Sequence, residues 1–222
     1  MAELAPRRYR LIVFDWDGTL ADSTALIAGA LQNACVAIGR PRPSLVDARY
    51  VIGLGLADAL AHVAPGLTAD QSRELTGHYR RHYLDGEAAI PLFDGAALLL
   101  ADLDAAGFLL GVATGKTRMG LDRAIATSGL AGRFHATRCA DEGFSKPHPD
   151  MLLALMDRLA VEPRETLMIG DTTHDLDLAR NAGADAVAVA YGAHEADGLA
   201  SRGPLATVHS LAELRGWLAT HA

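Results

Sequence analysis

Two carboxylates, Asp15 and Asp17, stand two apart directly after the apolar run Leu11-Ile12-Val13-Phe14, and Gly18-Thr19-Leu20 follows them. Further along, Thr114-Gly115-Lys116 closes a second apolar run. Lys146 lies in Ser145-Lys146-Pro147-His148-Pro149, and Gly170-Asp171-Thr172-Thr173-His174-Asp175 closes another run. An apolar stretch ending in a turn signal reads as a buried strand entering a loop. In an open parallel sheet, ligands bind at the carboxyl ends of the strands. The carboxylates of Asp15, Asp17, Asp171 and Asp175, the Thr114 hydroxyl and the Lys146 ammonium are therefore expected at one rim. Like charges ~4 Å apart repel by about 4 kcal/mol at an effective dielectric of 20, so the cluster calls for a hard divalent cation. A few oxygen donors suit Mg²⁺, which keeps waters and takes further oxygens from a phosphate. Lys146 can hold one carboxylate ionised and draw on a phosphoryl oxygen. Thr114, with backbone amides around Gly18 and Gly115, can hydrogen-bond the remaining oxygens.

The elements that must position these groups follow from periodicity. Asp22 and Ser23 are placed to cap a helix whose buried stripe is Ile27, Leu31, Ala34 and Ile38, closed by Gly39 and Pro41. From about 43 to 83 the pattern is helical, and Thr68-Ala69-Asp70-Gln71 has the form of a capping box opening a helix that runs to Tyr83. Ala96, Leu99, Leu100 and Leu103 form the next stripe, stopped by Gly107; then come a strand over 108–113 and a helix over 117–128. A short strand is expected at 135–139. Pro149 and Asp150 suit a helix start, with Leu152, Leu155, Met156 and Leu159 facing inward. A strand at 166–169, a helix over 174–182, a strand at 186–190 and a last helix opened by Ser210-Leu211-Ala212-Glu213 complete the chain. Buried strands alternating with helices predict an α/β, doubly wound, Rossmann-like and mostly parallel sheet of about five strands. The helical stretch between the first and second strands predicts a small inserted all-helical cap, giving a core of 1–20 with 92–222 and a cap of 21–91.

The 222 residues carry a net charge of −7, which argues against a nucleic-acid partner. Arg7, Arg8 and Arg10 read as a solvated lead-in. Cys35 and Cys139 sit in apolar contexts and read as buried thiols of a reducing compartment. No apolar leader precedes the first strand, and no run approaches the ~18 residues of a membrane span. A cytoplasmic protein without a membrane partner is expected.

Each residue type also has a plainer reading. Asp-x-Asp alone is common at strand-end turns, but Asp-x-Asp-Gly-Thr-Leu after an apolar strand is much rarer by chance. His148, between two prolines, reads as a fixed loop residue, and His174 as a helix-start residue near the site. Gly53-Leu54-Gly55 lacks the third glycine and the preceding strand of a dinucleotide motif; it reads as a turn lying over the active site. Arg80 or Arg81 could meet a substrate anion, against the plainer reading of an exposed helix face. Trp16 should point into the core.

In order and across the whole chain, Asp15-Trp16-Asp17-Gly18-Thr19, Thr114, Lys146-Pro147 and Gly170-Asp171…Asp175 resemble the four motifs of the haloacid dehalogenase-like hydrolase superfamily. The resemblance implies that Asp15 is a nucleophile forming an aspartyl-phosphate and that Asp17 is the general acid and base. It places phosphate contacts on Gly18, Thr19, Thr114, Gly115 and Lys146. It places Mg²⁺ on Asp15, the backbone carbonyl of Asp17, and Asp171, with Asp175 ordering Lys146 or a metal-bound water.

The helical insertion and the presence of Asp17 are similar to the phosphoglycolate phosphatase branch, as are Tyr79-Arg80-Arg81-His82-Tyr83, Lys146-Pro147-His148-Pro149-Asp150 and Tyr191-Gly192. Mutases usually carry Gly-Val where Gly18-Thr19 stands. One departure is Gly115, where many members have Asn. The implied activity is a Mg²⁺-dependent phosphatase of a small phosphorylated metabolite, phosphoglycolate first, acting as a monomer or homodimer. Pyrophosphatase, nucleotide or sugar-phosphate phosphatase and phosphoglucomutase-like activities stay open. A phospho-acceptor receiver domain would lack both the cap and Asp17.

Overall fold

A computed structural model describes residues 8–222; Arg7 of the basic run lies outside the described residues. The strands are β1 (Leu11–Phe14), β2 (Leu109–Thr114), β3 (Ala136–Cys139), β4 (Thr166–Gly170), β5 (Asp185–Val189) and β6 (Thr207–Val208). They form one parallel sheet in the order β3-β2-β1-β4-β5-β6. The chain builds outward from β1 to β3, then returns to β1 and builds the other way. Its strand order therefore reverses at β1 and β4, where a doubly wound sheet opens a crevice for ligands. The expected count of about five missed β6, whose two residues are too short to show a period.

Helices α1 (Thr24–Ala37), α2 (Leu45–Tyr50), α3 (Leu56–Val63) and α4 (Ala69–Glu87) follow β1. The rest are α5 (Ala96–Ala105), α6 (Arg118–Thr127), α7 (Asp150–Leu159), α8 (Thr173–Ala182), α9 (Ala196–Ala200) and α10 (Leu211–His221). The sheet alternation sorts them onto two faces. Ile12 and Phe14 of β1 pack with Leu99 and Leu100 of α5, Leu121 of α6 and Leu214 of α10. Leu11 and Val13 point the other way, onto Leu152 and Leu155 of α7 and Leu178 of α8. Trp16 is buried on the first face, edge-on to Phe134. Cys35 and Cys139 are free and buried. No helix among the described residues is long and apolar enough to cross a membrane.

Helices α1 to α4 close around a core of their own, including Leu31, Cys35, Ile52, Leu60 and Leu75. The chain enters and leaves this helical lobe side by side: Ala21 bridges Leu92 antiparallel, and Asp22 N donates to Pro91 O at 3.0 Å. Helix α4 starts with the expected Thr68–Gln71 capping box but runs a turn past Tyr83, to Glu87. It passes through Gly86, whose missing side chain leaves room for Leu26 of α1.

Two capping expectations are corrected. Ser23 occupies the N-cap of α1 without capping it: its backbone is at φ −110°, ψ −7° rather than extended, and its hydroxyl is turned to donate to Asp17 Oδ1 at 2.7 Å. Ser210 caps α10 through Glu213 N, while the Glu213 carboxylate takes the amide of His209 rather than that of Ser210. Arg8 and Arg10 pair with Asp185 and Glu165 at the surface, where exposed ion pairs contribute little.

Candidate active site

Asp15 follows the last residue of β1, and its amide continues the ladder by donating to Ile169 O at 2.9 Å. Asp171 follows the last residue of β4 and Asp175 sits in the first turn of α8. These three carboxylates are buried, each with an oxygen within 4.8 Å of the others'. Lys146 Nζ reaches in from the loop after β3, 2.9 Å from Asp15 Oδ1 and 2.6 Å from Asp175 Oδ1. Asp175 Oδ2 accepts from Thr172 N and Oγ1, so this residue ties the lysine to the start of α8. Asp171 Oδ1 accepts from Thr19 Oγ1 and its Oδ2 from Ala193 N, each at 2.7 Å. One ammonium faces three carboxylates. Burial pushes Asp15 well above the usual carboxylate range and Asp171 up to about 7, with neighbouring acids adding to both.

The residues present fit a hard divalent cation. The donors are all carboxylate oxygens. Asp15 Oδ1 faces Lys146 Nζ at 2.9 Å, while its Oδ2 has no hydrogen-bond donor among the described residues. A buried carboxylate oxygen without a donor is expensive to maintain, and a cation held by these acids would offset that penalty.

Not all expected groups share this centre. The Asp17 side chain turns away from the other three acids: its Oδ1 accepts from Ser23 and lies 3.0 Å from Lys116 Nζ. Lys116 also donates to Tyr83 Oη of α4 at 2.7 Å. The second ammonium, Lys116, is thus the site residue sequence reasoning missed, although it stands two positions after Thr114. The Thr114 hydroxyl accepts from Lys116 N, which leaves its own proton to donate. The Gly18 amide donates to Ala21 O and the Thr19 hydroxyl to Asp171, so both are engaged in holding the loop and the acid.

Glycines set the clearances. Gly18 has φ +85°, and a Cβ there would fall 2.1 Å from Asp171 Oδ2; one on Gly192 would fall 2.2 Å from it. Asp171 is held between two backbone segments that only glycine can supply. Gly53, also left-handed at φ +91°, lies over the acids: a Cβ there would be 3.2 Å from Thr172 Oγ1 and 3.8 Å from Asp15 Oδ2. A Cβ on Gly115 would meet Leu54 O at 2.3 Å and Gly53 O at 2.7 Å. Because both obstacles are backbone, Gly115→Ala is expected to lift the 53–55 loop. Amide exchange of residues 51–56 should quicken at least about tenfold while β1 and β4 keep their protection; unchanged exchange in that loop would show that the contact is not close.

The helical lobe is pinned to the rim by Arg49 and Tyr50 at the end of α2. Arg49 donates to Gly192 O and Ala193 O. His174 Nε2 and His194 Nε2 lie 2.7 and 3.0 Å from Tyr50 O. Thr173 N donates to His194 Nδ1, which assigns the proton of that ring to Nε2 and makes it a donor to the carbonyl. Burial lowers the pKa of both histidines, so they serve as neutral donors. His148 accepts from Asp150 N in an exposed loop, away from the acids. A cavity of about 330 Å³ extends from Asp17 between the lobe and α6, with Ile27, Ile52, Tyr83 and Lys116 in its walls. Arg80 lines it and Arg81 does not.

A family model described as haloacid dehalogenase-like hydrolase matches residues 12–189. The Dickeya dadantii protein named "probable phosphatase IndB" is 33% identical over 218 residues, covering 96% of this chain and 94% of that protein. A phosphoglycolate phosphatase from Vibrio vulnificus is 30% identical over 229 residues, covering 95% and 96%. The crystal structure of a hydrolase from Pseudomonas syringae has the same fold, with a TM-score of 0.88 at 24% identity over 96% of this chain and 99% of that one.

Proposed function

Since the chain belongs to the haloacid dehalogenase-like hydrolase family, we propose that it is a Mg²⁺-dependent phosphatase of a small phosphorylated metabolite, phosphoglycolate first. The observation that carries this reading is the buried Asp15 carboxylate beside Asp171, held by Lys146 through Oδ1 while its Oδ2 has no donor among the described residues. That is an oxygen kept free to bond. The relatives named phosphatases support the reaction class.

In this reading an Asp15 oxygen attacks phosphorus, the ester oxygen leaves, and an aspartyl-phosphate forms on Asp15. Asp17, held by Ser23 and Lys116 at the mouth of the cavity, gives the leaving oxygen its proton. It then takes a proton from water, which attacks the phosphoryl group and frees Asp15 and inorganic phosphate. Lys146 and the Thr114 proton hold phosphoryl oxygens, and Asp175 keeps Lys146 in place. Asp15, Asp171 and the backbone carbonyl of Asp17 would hold Mg²⁺, which when bound supplies charge neutralisation on the phosphoryl oxygens. Residues 1–20 with 92–222 are the catalytic unit and 21–91 the cap, a division supported by the lobe's separate core and the Ala21–Leu92 crossing. The two free thiols support a cytoplasmic setting.

Phosphate release from phosphoglycolate, dependent on Mg²⁺ and lost with a chelator, is the direct test; release that survives chelation removes the metal from the reading. A second expectation concerns stability. Binding at 100-fold over Kd contributes about 2.7 kcal/mol, which for a chain of this size raises Tm by roughly 5–10 °C. Burial raises the proton affinity of Asp15 and Asp171, so a cation bound there competes with protons. The rise in Tm with 5 mM Mg²⁺ is therefore expected to grow from pH 5 to pH 8. A rise that shrinks over that range would contradict the assignment of these two acids as ligands.

A further inference from the structure

The cavity beyond Asp17 has an uneven distribution of charge. Lys116 is engaged with Asp17 and Tyr83. Arg123 is engaged through two nitrogens with Glu87 across the seam between α6 and α4. Asp141 accepts from the amide of Arg118. That leaves Arg80, whose side chain has no ion pair or hydrogen bond among the described residues, although it lines the same space. The lining is also partly aliphatic, with Ile27, Leu31 and Ile52. Arg80 is exposed, and a guanidinium with no partner among the described residues at the edge of a partly apolar cavity matches an incoming carboxylate or phosphate, which it can grip through two parallel donors.

We propose that Arg80 is the second-anion contact of the leaving-group cavity, selecting phosphomonoesters whose alcohol half carries a carboxylate or a second phosphate. This rests on the phosphatase reading for which end of the ligand reacts, but not for its binding. At about 330 Å³ the cavity also admits an alcohol larger than glycolate, since drug-sized ligands occupy about 300–1,000 Å³. The apolar wall accommodates its carbon skeleton, and Arg80 at the rim meets the charge.

Calorimetric binding to the Asp15→Asn variant with Mg²⁺ present tests this without turnover. Two matched pairs are compared: ethyl phosphate with phosphoglycolate, and phenyl phosphate with 4-carboxyphenyl phosphate. The carboxylated member of at least one pair is expected to bind about tenfold more tightly. Adding Arg80→Ala should reduce that ratio to within about twofold, Arg80→Lys should keep part of it, and Arg81→Ala should keep all of it. Equal affinities within both pairs, or a preference that survives Arg80→Ala, overturns the proposal. If the unmodified protein releases phosphate from none of the four compounds while the binding ratio still depends on Arg80, the anion site stands and the phosphatase reading is what fails.

Discussion

Asp15→Asn is expected to lower phosphate release by about 10⁴-fold or more, the scale seen when a covalent nucleophile is removed. Phosphate-monoester hydrolysis needs up to ~10²¹-fold acceleration, or about 29 kcal/mol at 1.36 kcal/mol per decade. No single electrostatic contact supplies that, so splitting the reaction through a covalent step is central to the proposed mechanism. The amide is isosteric with the carboxylate, and Lys146 keeps Asp175 as its partner at 2.6 Å. The variant should therefore fold and bind substrate while failing to form the intermediate. Quenching the unmodified enzyme in acid during turnover should trap an acid-stable, base-labile phosphate on the chain, absent in Asp15→Asn. Undiminished release by the variant would remove Asp15 from the reaction. A phosphoprotein persisting for many minutes would point to a phospho-acceptor rather than a phosphatase.

Lys146→Met has the largest expected effect on stability. The ammonium is fully buried between Asp15 and Asp175, and removing one side of a buried ion pair costs about 3–5 kcal/mol. For a chain of this length that lowers Tm by roughly 10 °C. The deficit should depend on pH in a fixed direction. Burial raises the pKa of Asp171 to about 7 and that of Asp15 well above its ordinary value. An acid whose folded pKa exceeds its unfolded one binds more protons when folded, so its folded state weakens as pH rises between the two values. For Asp171 that window runs from about 4 to about 7. Lys146 opposes both shifts, so without it they grow and the variant's deficit at pH 8 should exceed that at pH 5. Denaturant titration at the two pH values decides the matter; an equal or larger deficit at pH 5 would mean that the lysine is chiefly a packing element.

Much of the acidic centre was legible in the chain because Asp15 and Asp171 directly follow buried strands, Lys146 lies in the loop after β3, and the doubly wound topology carries strand ends to one edge. Asp15, Asp171 and Lys146 needed only that rule. Asp17 shows its limit: spacing placed it in the cluster, but Ser23 and Lys116 draw its side chain toward the cavity, and no local period encodes that contact. Lys116 went unassigned because its contacts with Asp17 and Tyr83 join distant segments that no spacing marks. Arg49, Tyr50 and His194 had no signal at all, since Tyr50 and His194 meet across 144 positions through a carbonyl and a ring nitrogen. Strand β6 was invisible because two residues carry no alternation. Ser23 looked like a cap because it stands where caps stand, but its backbone is not extended and its hydroxyl is turned to donate to Asp17.

The paired crossings at Ala21 and Leu92 have a mechanical consequence. The two attachment points are neighbours, so the lobe's remaining holds on the rim include the contacts of Gly53, Arg49 and Tyr50, which a turn of the lobe away from the rim about those points must break together. Such a swing would lift Gly53 off Thr172 and pull the Arg49 guanidinium from the carbonyls of Gly192 and Ala193 in one stroke. The amide of Ala193 steadies Asp171. Opening the chamber to water would therefore also loosen the grip on one of its acids, making admission of solvent and slackening of the centre a single event.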